Sequence, residues 1–373
     1  MEQKTTVNDI TRLMEDWAPK KFAYDWDPVG LQIGRPDAPA GKVLVTLDVT
    51  EEVVREASEA GAGLIIAHHP PLFRPLKSVR TDTPHGRIVE QCLRNGISVY
   101  VAHTNLDVAP GGVNDMLAQR LGLSRISTLE ETYREPLFKL AVFTPHDSVE
   151  KVRKALGDAG AGAIGDYTHC SYELEGTGRF TPLDGADPYI GSVGKEEAVS
   201  ETKVEVVLTG SIRDRVERAM IDAHPYEEPA YDFFVLDQRL EEYGIGRVGN
   251  LPDPMTLEAF AEHVKERLGV PALRAVDGGK EEVRTVAVLG GSGAKYVGAA
   301  IGKKADVLVT GDIDFHTAQD AANLGLSIVD PGHHIERIMV GGVRERLEKD
   351  AEKAGINCEF IESAIVTEPF RFM

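Results

Sequence analysis

Short apolar runs alternating with amphipathic stretches set the rhythm of the first third of the chain. Residues 43–48 (VLVTLD), 63–67 (GLIIA) and 97–102 (ISVYVA) are brief and almost wholly apolar. Runs of that kind, set between helical patterns, read as strands buried on both faces of a parallel sheet. The intervening helices carry their own signals. Thr50 suits an N-cap, with Glu51 and Glu52 placed favourably against the helix dipole. A second helix spans 87–95 and closes on Gly96, and a third covers 114–121. The order βαβαβα predicts a parallel sheet covered by helices.

The period then changes. Residues 137–144 (LFKLAVFT) predict a strand, 148–159 a helix, and 167–174 and 178–181 two further strands. Residues 203–208 (KVEVVL) alternate as a strand, 212–223 form a helix, and 230–236 (AYDFFVL) a last strand. With 167–174 and 178–181 as successive pieces of one strand position, the order is β-α-β-β-α-β, which is ferredoxin-like. The stretch 182–200 is rich in Gly, Pro and Asp and reads as a long exposed loop. After Tyr243 the first pattern returns. A helix covers 256–268, strands cover 285–289, 307–310 and 326–329, and a long helix runs over 336–354. The expected organisation is 1–132 and 244–373 forming one α/β domain, with an α+β domain inserted at 133–243.

Composition narrows the classes. A chain of 373 residues with 42% hydrophobic and 27% charged residues is ordinary globular material for two or three domains. Three scattered cysteines without a CxxC offer neither a disulfide framework nor a thiolate zinc site, and fit a reducing cytoplasm. No apolar stretch suits a signal peptide or membrane span, so a cytoplasmic location is expected. The net charge of −19 argues against broad nucleic-acid binding, which needs phosphate-neutralising Lys and Arg. P-loop and G-x-S-x-G signatures are absent. GxGxxG at 244–249 lacks the βαβ context of a dinucleotide site, and HPYEEP at 224–229 reads as a rigid connector.

The chemistry lies where three strands end. Residues 63–67 run into His68 and His69, residues 97–102 into His103 and Asp107, and residues 326–329 into Asp330, His333, His334 and Glu336. Ligands gather at the carboxyl ends of strands in open α/β sheets. Imidazole and carboxylate together suit a borderline divalent cation. Adjacent strand residues point in opposite directions, so His68 and His69 suit two ions. For one site to form, the first and last segments must come together with the middle module inserted between them. His103 and His316 are candidates for acid–base work, because His titrates near neutral pH. His334 reads as a neighbour of the site or as solvent-facing. The glycine-rich turn at 290–293 would either receive an anion on its amides, with Lys295 nearby, or simply turn the chain tightly.

The segments WDPVGLQIG (26–34), AHHPPLF (67–73), AHTNLD (102–107), TGDIDFH (310–316) and DPGHHIE (330–336) together resemble the NIF3-like dinuclear metal proteins, also known as GTP cyclohydrolase 1 type 2 homologues. HPYEEPAYD at 224–232 is similar to the PII/CutA-like insertion of the longer bacterial members. The resemblance spans the chain. It implies an NIF3-like helix-covered sheet domain with an inserted ferredoxin-like domain, and a two-metal centre held by His68, His69, Asp107, His333 and Glu336. Asp107 and Glu336 would bridge the ions, with His103 beside them. The partner of Glu336 stays open between His333 and His334, since the spacing differs in shorter members. Zn, Fe, Mn, Co and Ni all fit such ligands. The resemblance further implies a homohexamer built through the insertion. Its family name suggests hydrolysis of a small molecule such as a nucleotide. The alternative is a regulatory or metal-handling assembly that senses a ligand or partner through the insertion.

Overall fold

The structure, a computed structural model, describes residues 4–238, 242–371 and 373. The chain forms two compact units, Met1–Tyr133 together with Tyr243–Met373, and Arg134–Glu242. The first segment carries strands β1 (Gly30–Ile33), β2 (Lys42–Thr46), β3 (Leu64–Ala67), β4 (Ser98–Val101) and β5 (Ser124–Arg134). The middle carries β6 (Leu137–Pro145), β7 (Tyr172–Phe180), β8 (Glu197–Thr209) and β9 (Tyr231–Leu236). The last segment carries β10 (Glu242–Met255), β11 (Arg274–Val276), β12 (Val283–Ser292), β13 (Val307–Gly311), β14 (Ser327–Asp330) and β15 (Glu359–Glu362).

The first unit holds two sheets rather than one. One has the order β1-β4-β3-β2-β15, the other β11-β14-β13-β12-β10-β5. Strands β15, β2, β3 and β4 run parallel, with Leu44 opposite Ile65 and Ile65 opposite Val99. The apolarity of the inner strands β2, β3 and β4 has a direct cause, while the edge strand β15 exposes both its glutamates. Val43, Val45, Leu64, Ile66 and Tyr100 join the core shared with the second sheet and the helices Val7–Trp17 and Ile338–Ala354. Leu44, Ile65, Ala67 and Val99 join a second core under the helices Glu51–Glu59 and Pro84–Arg94. Both faces are covered, so neither is polar.

The weakly patterned strands β1, β5 and β10 carry little apolar alternation, and the second sheet depends on two of them. Within β10 lies the GxGxxG match. A Cβ at Gly244 would stand 2.0 Å from the Glu130 carbonyl oxygen, so glycine serves a close approach of backbone to backbone. Arg247 in the same stretch is buried, with a bidentate pair to Asp115 at 2.7 and 2.8 Å. It also donates to the carbonyls of Gly244 and Gly246 at 2.9 and 2.8 Å. The motif is structural, in agreement with its missing dinucleotide context.

The second unit is a four-stranded antiparallel sheet, order β7-β8-β6-β9, with the helices Val149–Asp158 and Arg213–Ala223 on one face. This is the ferredoxin-like arrangement. The two short strands expected between 167 and 181 are one strand. Gly176 and Gly178 stay in register with Glu201 and Val199, because the ladder with β8 supplies the order that glycine lacks. Strand β8 also takes the last residues of the expected loop at 182–200. Among the described residues, no helix is long and apolar enough to cross a membrane.

Candidate metal centre

Each cluster begins where a strand stops. Strand β3 ends at Ala67, while the amides of His68 and His69 still donate to the Thr46 and Leu47 carbonyls at 3.3 and 2.9 Å. Strict alternation no longer holds past the strand end. The two rings therefore lie near one another, 5.1 Å between centroids, instead of on opposite faces. After β4, His103 caps the short helix Thr104–Val108, which carries Asp107. After β14, His333–Arg337 is a 3-10 turn that precedes the long helix Ile338–Ala354. Glu336 thus lies before that long helix and not in its first turn. The distant segments meet: His69 Nε2 lies 2.9 Å from Glu336 Oε2, across 267 positions of sequence.

His68 is fully buried, Asp107 is 6% exposed and Glu336 is 2% exposed. The His68 Nδ1 lies 2.8 Å from the Ala102 carbonyl oxygen, which can only accept, so Nδ1 carries a proton, and in the neutral ring Nε2 presents a lone pair. That lone pair faces Asp107 Oδ1 and Glu336 Oε1, each 3.7 Å away, too far for a hydrogen bond. His68 Nε2 and Asp107 Oδ1 are both buried without a hydrogen-bond partner. Buried polar atoms rarely go unpaired. A lone pair and two carboxylate oxygens converging on one small volume are donors awaiting a cation.

Among the described residues, three overlapping groups have ligand atoms within 4.8 Å of one another: His68, Asp107 and Glu336; His69, His333 and Glu336; and His68, His69 and His103. Of the two carboxylates expected to bridge, Glu336 belongs to two of the groups and Asp107 to one, and His68 and His69 also belong to two each. All five residues expected as ligands are brought together. His103, expected only beside them, stands within the same distance. His333 rather than His334 faces the cluster, 3.1 Å from Glu336 Oε2. His334 is half-buried and joins none of the groups. His316 is exposed, edge-on to Phe315, and likewise belongs to none of them.

Sequence reasoning missed three carboxylates that aim these imidazoles. His69 Nδ1 lies 2.7 Å from Asp48 Oδ1, His103 Nδ1 3.0 Å from Asp27 Oδ1, and His333 Nδ1 2.7 Å from Asp312 Oδ2. Each pairing leaves Nε2 as the nitrogen turned inward, the usual carboxylate–histidine support of a metal ligand. A signal was present, since Asp48 and Asp312 also follow strand ends. Gly291 has φ +64, and a Cβ there would stand 2.6 Å from Glu336 Oε1. The glycines at 290 and 291, expected to form a turn, instead lie at the end of strand β12, with a register shift before Ser292, and make room for the carboxylate.

Burial and mutual pairing shift the titration of these groups. Burial, then repulsion from Glu336, pushes Asp107 up to about 8. Burial also opposes ionisation of Glu336, but His68, His333 and His69 hold it well below the usual carboxylate range. His69 is disfavoured as a cation by burial, yet its bonds to Asp48 and Glu336 raise it to about 10. The bond to Glu336 raises His333 to about 9.

A sequence model of the Duf34/NIF3 (NGG1p interacting factor 3) family matches residues 5–369. A Bacillus subtilis protein named GTP cyclohydrolase 1 type 2 homolog is 50% identical, covering 100% of both chains. A relative of the same name in Halalkalibacterium halodurans is 48% identical over 98% of each. The crystal structure of a Bacillus cereus protein related to NIF3 superposes with a TM-score of 0.89, at 47% identity over the whole of both chains.

Proposed function

Because this chain belongs to the Duf34/NIF3 family, we propose that it is a dinuclear metal-dependent hydrolase acting on a small molecule of nucleotide or phosphoester type. The observation that carries the reading is the pair of buried, unpartnered donors, His68 Nε2 and Asp107 Oδ1, facing Glu336. His68, Asp107 and Glu336, with His103 adjoining, would hold one ion, and His69, His333 and Glu336 the other. Bound there, two divalent cations supply Lewis acidity and an activated water at neutral pH. The chain's own residues keep the imidazoles aimed. Asp27, Asp48 and Asp312 hold the outer nitrogens, so the inner ones need no reorganisation on binding. His103 Nδ1 is held by Asp27, a pairing that aims Nε2 at the cluster and serves a metal ligand and a proton carrier alike. His316 has no geometric support for a role in proton transfer. We also assign a homohexamer, on the family resemblance.

The test is metal content per chain, by elemental mass spectrometry, for wild type and Asp107→Ala purified without added metal. About two ions in wild type and a loss in the variant are expected. Turnover of GTP or of a phosphoester that vanishes on chelation and returns with metal would complete the case. A metal-free wild type that takes up no added ion would sink the dinuclear reading. A fully loaded protein that is inert towards both substrate classes would sink the hydrolase.

A further inference from the structure

The inserted unit carries an open cavity of about 620 Å³ whose lining shares no residue with the metal centre, of a size suited to a small molecule. Four rings line it, Phe143, Phe180, Tyr189 and Tyr226. Tyr226 stands 6.0 Å from Phe180 and 6.1 Å from Tyr189 between centroids. The segment 182–190 supplies a further wall and is tethered, since the Asp187 amide donates to Glu227 Oε1 at 2.9 Å.

Glu201 also lines the cavity and is only 8% exposed. Its Oε1 accepts from the Tyr226 hydroxyl at 3.0 Å. Among the described residues, no Lys, Arg or His forms an ion pair with it. The strand opposite is shaped for this carboxylate. A Cβ at Gly178 would stand 2.1 Å from Glu201 Oε2, so glycine makes the space that the carboxylate fills. At Gly176, the register partner of Glu201, a Cβ would meet nothing within 4 Å, which leaves open floor beside it. The lining cations already have partners, and Lys203 Nζ also lies 6.0 Å from the centre of the Phe143 ring. Lys203 pairs with Glu205 at 2.5 Å and Arg179 with Glu196 at 3.6 Å. Glu175 and Glu228, also in the lining, join no ion pair among the described residues. Glu201 is therefore a buried carboxylate beside the rings with no ion-pair partner among the described residues, while Glu175 and Glu228 stand exposed at the rim. A buried carboxylate without a counter-charge is costly unless a cation arrives. Aromatic faces attract organic cations and leave strongly hydrated metal ions less favoured.

We propose that this cavity in the inserted unit binds a small organic cation, an amine or quaternary ammonium with an apolar body, its charge on Glu201 and its body against the four rings. An anion is excluded by the same unpaired carboxylates.

Calorimetric titration of the full chain with phenethylamine, and with its uncharged analogue 2-phenylethanol, tests this. Saturable binding of the amine is expected, with the alcohol weaker by about tenfold or more, the scale of a desolvated cation–aromatic contact. Glu201→Gln should bring amine binding down to the level of the alcohol, while metal content stays unchanged. Tyr189 is half exposed, so Tyr189→Ala keeps the test open if the buried substitution impairs folding, and it too should weaken the amine. Equal binding of amine and alcohol would overturn the cationic assignment, and absence of saturable binding by both would overturn the site. Binding seen only below the concentration at which the chain self-associates would assign the cavity to a second copy of the chain instead.

Discussion

At the residue scale, the His68 tautomer is the most consequential detail of the centre. The Ala102 carbonyl oxygen can only accept, so it fixes the proton on Nδ1 and leaves Nε2 as a ligand without a rotamer search. Asp48 does the equivalent for His69, and also accepts from the Thr367 hydroxyl. Burial works against its charge, yet the bonds to His69 and Thr367 hold Asp48 below its ordinary value. Asp48→Asn keeps the shape but removes the charge that orients His69. Metal affinity is expected to fall by about 10–100-fold with the melting temperature of the metal-free protein little changed. Competition titration against a coloured chelator reads this directly, and an unchanged affinity would show that Asp48 does not position the ligand.

At the element scale, strands β12 and β13 are joined by one charged clamp at their start. The Asp306 carboxylate accepts from Lys280 Nζ at 2.6 Å and from the amides of Thr285 and Arg284 at 2.7 and 3.0 Å. Burial opposes its ionisation, but Lys280 and the two amides hold its pKa below the usual carboxylate value. The folded pKa is lower than the unfolded one, so the clamp stabilises fully above about pH 3.9 and is lost as pH falls through the folded value. Wild type should therefore be more stable than Asp306→Asn from neutral pH down to about 5, with the gap closing in stronger acid. Urea denaturation of both at several pH values measures the gap. A gap that persists undiminished at the acid end would contradict the charge-based account. The buried Arg247–Asp115 pair works differently, by matching one guanidinium to a carboxylate and to the carbonyls of Gly244, Gly246, Val108 and Ala109.

At the scale of the whole molecule, the centre draws on segments separated by more than two hundred residues, and these meet only when the first unit is folded. Any ion bound there stabilises that unit by mass action, about 2.7 kcal/mol when the free ion stands at a hundred times its dissociation constant. Chelation is expected to lower the melting temperature, and restored metal to raise it again. A melting temperature indifferent to verified loss of metal would mean that the cluster contributes nothing to holding the segments together. The inserted unit has its own core, built around Leu140, Val142, Val204, Leu156 and Met220.

What the sequence determined by itself was the set of strongly periodic elements and the chemistry at their ends. Strands β2, β3, β4, β13 and β14 were legible because both their faces are buried, which forces continuous apolar runs. The ferredoxin-like order was legible because alternation and helical period succeed each other cleanly between 137 and 236. The histidines and carboxylates stood out because strand ends are where side chains can converge. Tertiary structure alone decided the rest. Strands β1, β5 and β10 owe their order to ladder partners more than to their own patterning, and so the second sheet went unseen. The choice of His333 over His334, the approach of His103, and the supporting roles of Asp27, Asp48 and Asp312 depend on distances across the fold. A chain written in one dimension records which donors are present, while the tautomers and the unpaired lone pairs exist only once distant backbones have fixed where each ring points.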